Sequence, residues 1–315
     1  MRDLATEFEA ERDHLTAVAY RMLGSRAEAE DAVQEAWLRY ASALASPDAR
    51  AEVRDLRGWL TTATARICLD VLRSARVRRE AYPGQWLPEP IVNRLPSGAP
   101  DPSESAAVHD QVGMALMVVL ERLTAEQRVA FVLHDAFAVP FEEIANALGT
   151  SVESARQLAS RARRALASGG PRHTADLAEQ RRVLNAFLEA TQTGEVTRLM
   201  AVLAPDVEFV GDSGGVFPAA RQPVVGAEQV ARFVFGLLRR IPYDTIDLRT
   251  EAMEVNGGLG LVMQARYRGS ADYRSVMSFA ISDGRITGIF NQLNPAKVKD
   301  APMPAPGAEQ WPSSL

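Results

Sequence analysis

The segment from Pro140 to Leu166, PFEEIANALGTSVESARQLASRARRAL, is the most restrictive pattern in the chain. Apolar residues recur at helical spacing on both sides of Gly149, which predicts two helices joined by a turn. Such a turn needs a glycine at positive φ, a small residue where the helices touch and an apolar residue that locks the second helix. Gly149, Ala145 and Ala155 meet these needs at the spacing of a helix-turn-helix, and a plain helical hairpin is the alternative.

The second helix of this motif presents a polar and basic surface. Ser151 is placed to cap its first turn, and Ala155, Ala159 and Ala162 supply its buried side. A helix that enters the major groove contacts base edges with its first turns, while arginines also bind phosphates. We therefore predict a DNA-binding surface that comprises Ser151, Glu153, Ser154, Arg156, Gln157, Ser160, Arg161 and Arg164.

Overall charge does not favour nucleic-acid binding, because 35 basic residues stand against 40 acidic ones and the net charge is −5. Contact with DNA must therefore rely on local basic patches. One such patch, the arginine run, ends a long helix that is predicted to start near Leu56. It comprises Arg73, Arg76, Arg78 and Arg79, with no acid among them. We predict that the arginine run binds DNA phosphates, with a solvated helix end as the alternative.

Blocks of distinct composition follow one another along the chain. Residues 1–81 and 106–168 have helical patterns, and a linker rich in Pro, Gly and Ser separates them at 82–105. Residues 176–297 change to two helices followed by short alternating segments with glycine turns, which is typical of an α+β domain. The Pro- and Ala-rich tail, 298–315, is predicted to be disordered. We expect a multidomain protein with two all-α domains and one α+β domain.

The remaining composition limits the location and chemistry of the protein. No apolar run is long enough to span a bilayer, and the charged N-terminus lacks the apolar stretch of a signal peptide. Cys68 is the single cysteine, so no internal disulfide is expected, and no Cys/His cluster predicts a metal site. We expect a soluble cytoplasmic protein that uses no membrane, metal or cofactor.

The first helical block carries a surface of mixed chemistry. Ser25 and Glu28 form a capping box at the start of its second helix. One side of that helix combines carboxylates, an amide and an apolar side chain, and we call it the acidic face: Asp31, Gln34, Glu35 and Leu38. Such a surface suits docking on a basic partner, and a merely solvated helix face is the alternative.

Together, the helical blocks resemble the extracytoplasmic-function (ECF) sigma factors. Residues 19–40, AYRMLGSRAEAEDAVQEAWLRY, resemble region 2, which binds the clamp helices of RNA polymerase. Residues 57–80, RGWLTTATARICLDVLRSARVRRE, resemble the part that engages the −10 promoter element. Residues 106–167 resemble region 4, whose helix-turn-helix binds the −35 element. The resemblance implies a sigma factor for core RNA polymerase and promoter DNA, with the acidic face on polymerase and the arginine run on the promoter.

The linker and the C-terminal block resemble one subgroup of this family, in which a SnoaL-like cone of the NTF2 type follows the sigma regions. Three motifs carry this resemblance: Trp86-Leu87-Pro88-Glu89-Pro90, Asp212-Ser213-Gly214-Gly215-Val216 and Asn294-Pro295-Ala296-Lys297. The second lacks the subgroup's basic residue and the third lacks its acid. The resemblance implies regulation in cis, and we predict that Trp86, Leu87 and Pro88 pack on the C-terminal domain near Asp212 to Gly215. Asn294 and Pro295 are the other positions to which the resemblance assigns a regulatory role. The alternative to docking on the C-terminal domain is that Trp86 packs on region 4.

Two further functions stay open for the C-terminal domain. Such cones often enclose a pocket for a small molecule, and some are enzymes, although this analogy rests on fold alone. General acid–base catalysis needs a titratable group facing the pocket. No histidine follows His173, and no spacing pairs the inward candidates Asp212, Tyr243, Asp247, Arg266 and Tyr267. We predict no catalytic residue; the alternatives are a ligand-sensing helix-turn-helix regulator and a bifunctional sigma factor with an active cyclase or isomerase domain.

Overall fold

The structure is a computed structural model, and it separates into two compact units. The helical unit combines Met1–Ala81 with Leu120–Gly169, and the sheet unit combines Tyr82–Val119 with Gly170–Leu315. The residues that the structure describes are 4–43, 53, 55–80, 82–95, 113–167, 173–240, 246–267 and 273–308.

Helices and strands are numbered here in chain order. The helices are α1 (Leu4–Glu9), α2 (Arg12–Leu23), α3 (Arg26–Ala43), α4 (Leu56–Glu80), α5 (Met114–Leu120), α6 (Ala125–Phe131, continued by a π-helical turn, Val132–Ala136), α7 (Phe141–Leu148), α8 (Val152–Ala167), α9 (Leu177–Thr193), α10 (Val196–Val202), α11 (Ala227–Leu238) and α12 (Pro295–Val298). The strands are β1 (Val92–Arg94), β2 (Leu203–Asp212), β3 (Val224–Val225), β4 (Ile246–Val255), β5 (Gly258–Tyr267), β6 (Tyr273–Ser282) and β7 (Arg285–Gln292).

The helical unit begins with a bundle of α1 to α4. α2 ends at Gly24, whose φ of 71° suits a residue without Cβ, and the Glu28 amide donates to Ser25 Oγ at 3.4 Å where α3 starts. Apolar positions at helical spacing face inward, and the fully buried ones include Leu15, Val18, Met22, Val33, Ala36 and Leu60. Amphipathicity therefore accounts for this core.

The predicted helix-turn-helix is confirmed in α7 and α8. Gly149 follows α7 with a φ of 62°, and the Ser154 amide donates to Ser151 Oγ at 3.2 Å as α8 begins. Ala145 and Ala155 are both buried, and their small side chains let the two helices approach. Within the helical unit, α6 and α7 also pack against α4.

The sheet unit is built on strands in the order β1-β4-β5-β6-β7-β2-β3. Neighbouring strands run antiparallel, except that β2 and β7 are parallel. The strand β1 belongs to the linker and pairs with β4, with Val92 opposite Val255. The linker therefore forms one edge of the C-terminal sheet.

The two faces of this sheet have different coverings, because successive side chains of a strand point to opposite faces. On the helix face, α9, α10 and α11 contribute to a core that includes Leu184, Phe187, Leu199, Phe209, Val230, Leu261, Phe279 and Ile289. On the opposite face, which we call the linker face, the linker and α5 pack on β2, β6 and β7 through Leu87, Met114, Ala115, Val118, Val210, Ala280 and Phe290. This two-sided burial matches the predicted α+β domain.

The position of α5 departs from the sequence-based division at residue 106. Met114, Ala115 and Val118 were expected to belong to the second helical block, yet they share a core with Leu87 and Phe290. The apolar side of a short helix can be buried by either neighbour, and here the sheet buries these three residues. Residues 96–112 of the linker region lie outside the described residues.

The prediction of a disordered tail is wrong for residues 298–308. Arg274 Nη1 donates to the carbonyl oxygens of Val298, Lys299 and Ala301 at 2.8, 2.8 and 2.9 Å. Val298 also joins a small hydrophobic core with Met253 and Val276, so contacts with the sheet order a segment whose Pro- and Ala-rich composition gave no sign of order. Residues 309–315 lie outside the described residues.

Candidate functional site

The acidic face of α3 is directed to solvent. Its positions follow the i, i+3, i+4, i+7 spacing, which places them on one side of a helix. Leu38 is 61% exposed, and Asp31 and Gln34 are exposed beside it. Glu35 is half-buried and accepts a hydrogen bond from Arg39 Nε at 3.0 Å. The predicted docking surface is therefore accessible.

The DNA-binding surface predicted on α8 is also accessible. Every residue assigned to it is exposed except Ser154, which is half-buried. Arg156 lies loosely beside Glu142, with 3.9 Å between Nη2 and Oε1. Arg163, which lies next to this surface on α8, donates from Nε to Asp135 Oδ1 at 2.6 Å. The arginines of this surface thus remain available to phosphates along one side of the helix.

The arginine run of α4 is only partly described. Arg73 Nη2 lies 2.9 Å from Glu126 Oε1, so the first arginine of the run contacts α6. Arg76, Arg78 and Arg79 occupy the last turns of α4, where the backbone is described and the side chains lie outside the described residues.

In the sheet unit, Asp212 is the centre of a buried polar cluster that holds the linker. Its side chain is 0% exposed and lies at the end of β2 on the linker face. Five donors surround its carboxylate: Tyr82 Oη at 2.7 Å and Gly214 N at 3.0 Å on Oδ1, and Leu87 N at 2.9 Å, Lys297 Nζ at 2.7 Å and Gln292 Nε2 at 3.3 Å on Oδ2. A buried carboxylate with this many donors is fully satisfied.

Lys297 joins the cluster to the WLPEP motif. Its Nζ also donates to the carbonyl oxygen of Leu87 at 2.6 Å, and it lies 4.1 Å from the ring centroid of Trp86 and 5.2 Å from that of Tyr82. A cation over aromatic faces is attracted by their quadrupoles. Trp86 therefore packs on the C-terminal residues, and Leu87 and Pro88 are buried beside it.

The glycine loop permits this close approach. Gly214 and Gly215 have φ values of 59° and 78°. A Cβ on Gly214 would lie 2.7 Å from Asn294 Nδ2, and one on Gly215 would lie 2.9 Å from Pro83 Cγ. Both glycines are therefore required by backbone conformation and by space. Val216, at the position of the missing basic residue, is 61% exposed.

The motif Asn294-Pro295-Ala296-Lys297 lacks the acid of the subgroup, but its first residues still begin a capped helix. Asn294 Oδ1 caps α12 by accepting from the Ala296 amide at 3.0 Å, and Pro295 occupies the first turn. Asn294 Nδ2 donates to Tyr82 Oη at 2.8 Å. Burial, and then the hydrogen bond to Asp212, raise the pKa of Tyr82 above its ordinary value, so the phenol stays protonated and donates.

The structure thus brings the three motifs together in one cluster, which we call the linker dock. Sequence reasoning missed Tyr82, Gln292 and the role of Lys297. Lys297 belongs to the motif Asn294-Pro295-Ala296-Lys297. Because a buried aspartate needs a cation beside it, Asp212 could have pointed to Lys297. Tyr82 and Gln292 carried no comparable signal, because their contacts depend on where the linker crosses the sheet.

The residues considered for catalysis do not gather at one site. Asp212 belongs to the linker dock, and Asp247 and Arg266 are exposed cross-strand neighbours. Tyr243 and the Tyr267 side chain lie outside the described residues. Among the residues that are described, no group of three His, Cys, Asp or Glu side chains is arranged to hold a metal. None of the described helices is both long and apolar enough to cross a membrane.

Comparison with known proteins agrees with this organisation. Residues 8–78 match the family Sigma-70 region 2, and residues 113–166 match Sigma-70, region 4. The ECF RNA polymerase sigma factor SigJ of Mycobacterium tuberculosis is 44% identical over 308 residues, which cover 95% of this chain and 94% of SigJ. The probable ECF sigma factor SigI of the same species is 36% identical over 72% of this chain and 74% of its own.

A solved structure extends the similarity to three dimensions. The crystal structure of M. tuberculosis SigJ superposes with a TM-score of 0.73 at 40% identity, and the match covers 95% of this chain and 99% of that one. The predicted fold class, with two helical sigma domains and a C-terminal α+β domain, is confirmed. With both sigma regions matched and identity to SigJ along almost its whole length, the chain belongs to the ECF RNA polymerase sigma factors.

Proposed function

We propose that this sigma factor is regulated in cis by its C-terminal domain, through the linker dock. The buried carboxylate of Asp212 carries the proposal, because it binds the linker main chain at Leu87 and the linker side chain of Tyr82. The chemistry of transcription belongs to RNA polymerase, and the proposal assigns no catalytic step to this chain.

The exposed surfaces support distinct roles for the sigma regions. The acidic face of α3 supplies carboxylates and an apolar anchor for core polymerase. The surface on α8 enters the major groove of the −35 element, and the arginine run of α4 contacts the −10 region. The net charge of −5 means that free protein binds DNA weakly and in a salt-sensitive way. Strong promoter binding by the free protein at physiological salt would count against this.

The contacts of the linker dock support a role for the C-terminal domain in limiting how far the linker between regions 2 and 4 can extend. The WLPEP motif lies near the start of the linker and α5 follows the linker in the chain, and both pack on the linker face of one sheet. A segment attached before and after the linker cannot lengthen without breaking these contacts. The C-terminal domain thereby limits the distances that regions 2 and 4 can adopt on a promoter.

In vitro transcription with core polymerase and genomic promoter fragments tests the proposal. The unchanged chain, a chain ending near Ser168 and an Asp212→Asn variant are compared, with Asp206→Asn as control because Asp206 is exposed on the same strand. Transcripts that require the chain, in an amount altered by the truncation and by Asp212→Asn but not by Asp206→Asn, support regulation in cis. Equal transcription by all four proteins would refute it. DNA binding without transcription by any of them would favour a ligand-sensing regulator.

The linker itself offers a simpler test. Trp86→Ala removes the ring that covers Lys297, and the linker should become more sensitive to protease. An unchanged cleavage rate would contradict the role of Trp86 in docking.

A second candidate function, binding of a small molecule by the cone, has one observation in its favour. Ser275 Oγ and Asn291 Oδ1 are buried without a hydrogen-bond partner in the described part of the chain. Both positions lie on the helix face, since Asn291 pairs with Met277 and Ser275 is two residues from it. A ligand with an apolar body and a donor group would satisfy such oxygens. Thermal shift with hydroxylated apolar compounds tests this, and equal shifts for Ser275→Ala and the unchanged chain would refute it.

A further inference from the structure

We infer that the C-terminal tail is a strap that fastens the linker strand β1 to the C-terminal sheet, so that release of the tail loosens the linker. The tail strap comprises residues 298–305, and it contacts the linker at Arg94. The linker dock holds the linker nearer its start, at Tyr82 and Leu87. The inference rests on the proposed function, since it adds a second attachment to a linker whose docking is proposed to regulate the chain.

The strand β1 needs support beyond its pairing with β4. It has three residues and forms an edge of the sheet. Just before it, the Ile91 amide donates to Asn256 Oδ1 at 3.1 Å, and the Asn256 amide donates to the Ile91 carbonyl oxygen at 2.8 Å. An edge strand this short is marginally stable, because few backbone hydrogen bonds offset the entropy lost when it is ordered. Side-chain contacts therefore contribute a large share of its attachment.

Arg94 joins β1 to both the sheet and the tail. Its Nη1 donates to Glu251 Oε1 on β4 at 2.8 Å, and its Nη2 donates to the Met303 carbonyl oxygen at 2.8 Å. The other oxygen of the same carboxylate, Glu251 Oε2, accepts from the Ala305 amide at 2.6 Å. These bonds form a closed ring through the linker, the sheet and the tail. Removal of the tail takes two of the three bonds away.

The composition of the tail suits donors that bind carbonyl oxygens. Every second residue from Pro302 to Pro306 is a proline, so only Met303 and Ala305 have an amide hydrogen in this stretch. Such a segment offers more acceptors than donors, whereas an arginine side chain offers donors alone. Proline also restricts the unbound chain, so less entropy is lost when the segment is ordered. A proline-rich tail is therefore a suitable partner for an arginine on the linker strand.

The start of the strap is anchored on the sheet. Arg274 Nη1 on β6 lies 2.8, 2.8 and 2.9 Å from the carbonyl oxygens of Val298, Lys299 and Ala301. The Val298 side chain is buried in a small core on β4, β5 and β6, and Val92 of β1 packs against the same core. Shortening the chain after Ala301 therefore removes the ring at Arg94 and leaves this anchor in place.

The position of β1 links the strap to the linker dock. A single residue, Ile91, separates the WLPEP motif from β1. If β1 detaches, the five residues from Ile91 to Leu95 leave the sheet, and they add about 17 Å of extended chain beyond the linker dock. The tail strap thus sets how much of the linker the C-terminal domain holds.

Hydrogen exchange tests the strap directly. A chain ending at Ala301 lacks Met303 and Ala305, and a chain ending at Ala308 keeps them and is the matched control. Amide exchange in the linker peptide 91–95, followed by mass spectrometry, should be about tenfold faster in the chain ending at Ala301, since loss of one hydrogen bond to a charged group corresponds to a factor of about that size. The chain ending at Ala308 should exchange like the unchanged chain. Equal rates in all three would overturn the inference.

A substitution on β4 tests the ring without shortening the chain. Glu251→Gln places an NH2 group against either Arg94 or the Ala305 amide, so exchange in the linker peptide 91–95 should again rise. Glu254→Gln is the control, because Glu254 lies on the same strand and accepts from Asn93 of β1 at 3.1 Å. In a chain ending at Ala301, Glu251→Gln should have a smaller effect, since both changes break the same ring. Fully independent effects, or equal exchange in both glutamine variants, would contradict the ring.

Transcription separates failure of this inference from failure of the proposed function. The chain ending at Ala301 should change transcription by core polymerase in the same direction as Asp212→Asn, because both loosen the linker, and the chain ending at Ala308 should not. If Asp212→Asn alters transcription and the chain ending at Ala301 does not, the strap exerts no control and this inference alone is overturned. If neither alters transcription, the proposed function fails, and the regulatory role of the strap fails with it.

Discussion

Replacing Asp212 by asparagine should detach the linker from the C-terminal domain. The substitution keeps the shape of the side chain but removes its charge and replaces one acceptor oxygen with an NH2 group. If the NH2 group takes the place of Oδ1, Tyr82 Oη can rotate to accept from it, but the Gly214 amide then faces another donor. On Oδ2, the bonds from Leu87, Lys297 and Gln292 remain but lose the charge that strengthens them.

The magnitude follows from these bonds. A hydrogen bond to a charged group contributes about 1.5–3 kcal/mol and a neutral one about 0.5–1.5, so each surviving bond weakens by about 1 kcal/mol. Four such bonds, with about 1 kcal/mol more for the unpaired Gly214 amide, give a loss of about 5 kcal/mol. The two bonds made directly to the linker, from Leu87 and Tyr82, account for about 2 kcal/mol of it. The undocked fraction of the linker should then rise about 30-fold.

Limited chymotrypsin digestion measures that fraction, because the bond after Trp86 lies inside the linker dock. When docking is fast relative to cleavage, the cleavage rate follows the undocked population. Asp206→Asn is the matched control, since Asp206 is exposed on the same strand. Equal cleavage of the Asp212→Asn and Asp206→Asn variants would refute the assignment of Asp212 as the residue that holds the linker.

Three other expectations concern different parts of the chain. Gly214→Ala should lower the stability of the sheet unit in urea unfolding by roughly 1–2 kcal/mol from φ strain alone, and by more because the new Cβ would meet Asn294; unchanged stability would contradict the close approach. Arg161→Ala should weaken −35 duplex binding and reduce its salt dependence by about one unit of slope if the side chain binds a phosphate; an unchanged slope would remove it from the DNA surface. Burial lowers the pKa of His173 below 6.5, and its Nδ1 accepts from the Ile281 amide, so stability should be complete above pH 6.5 and decline as pH falls below it. Thermal unfolding against pH measures this, and a His173→Gln variant with the same pH dependence would contradict it.

Local patterns were sufficient for the helical elements. The turn at Gly149 needs positive φ, and Ala145 and Ala155 need to be small, so three residues a few positions apart predict the helix-turn-helix. The acidic face was predictable for a similar reason, because helical periodicity alone decides which side chains of α3 share a side. These inferences depend on contacts within one or two turns of chain.

The linker dock was only partly predictable. The motifs around Trp86, Asp212 and Asn294 suggested that these segments meet. The five-donor arrangement on Asp212 depends on residues up to 130 positions apart. Tyr82 and Gln292 are ordinary residues in the sequence, and only the path of the linker across β2 and β7 gives them their contacts.

The sequence by itself determined the family, the helical elements and the candidates for DNA binding, because those inferences depend on side-chain type and short-range spacing. Only the tertiary structure decided where those residues lie relative to one another. It ordered the first residues of the tail through Arg274, placed α5 on the sheet and set Arg73 against Glu126. In each case the side chain could have bonded to, or packed on, several groups of similar chemistry. Which of them it contacts depends on the surfaces that the fold places beside it.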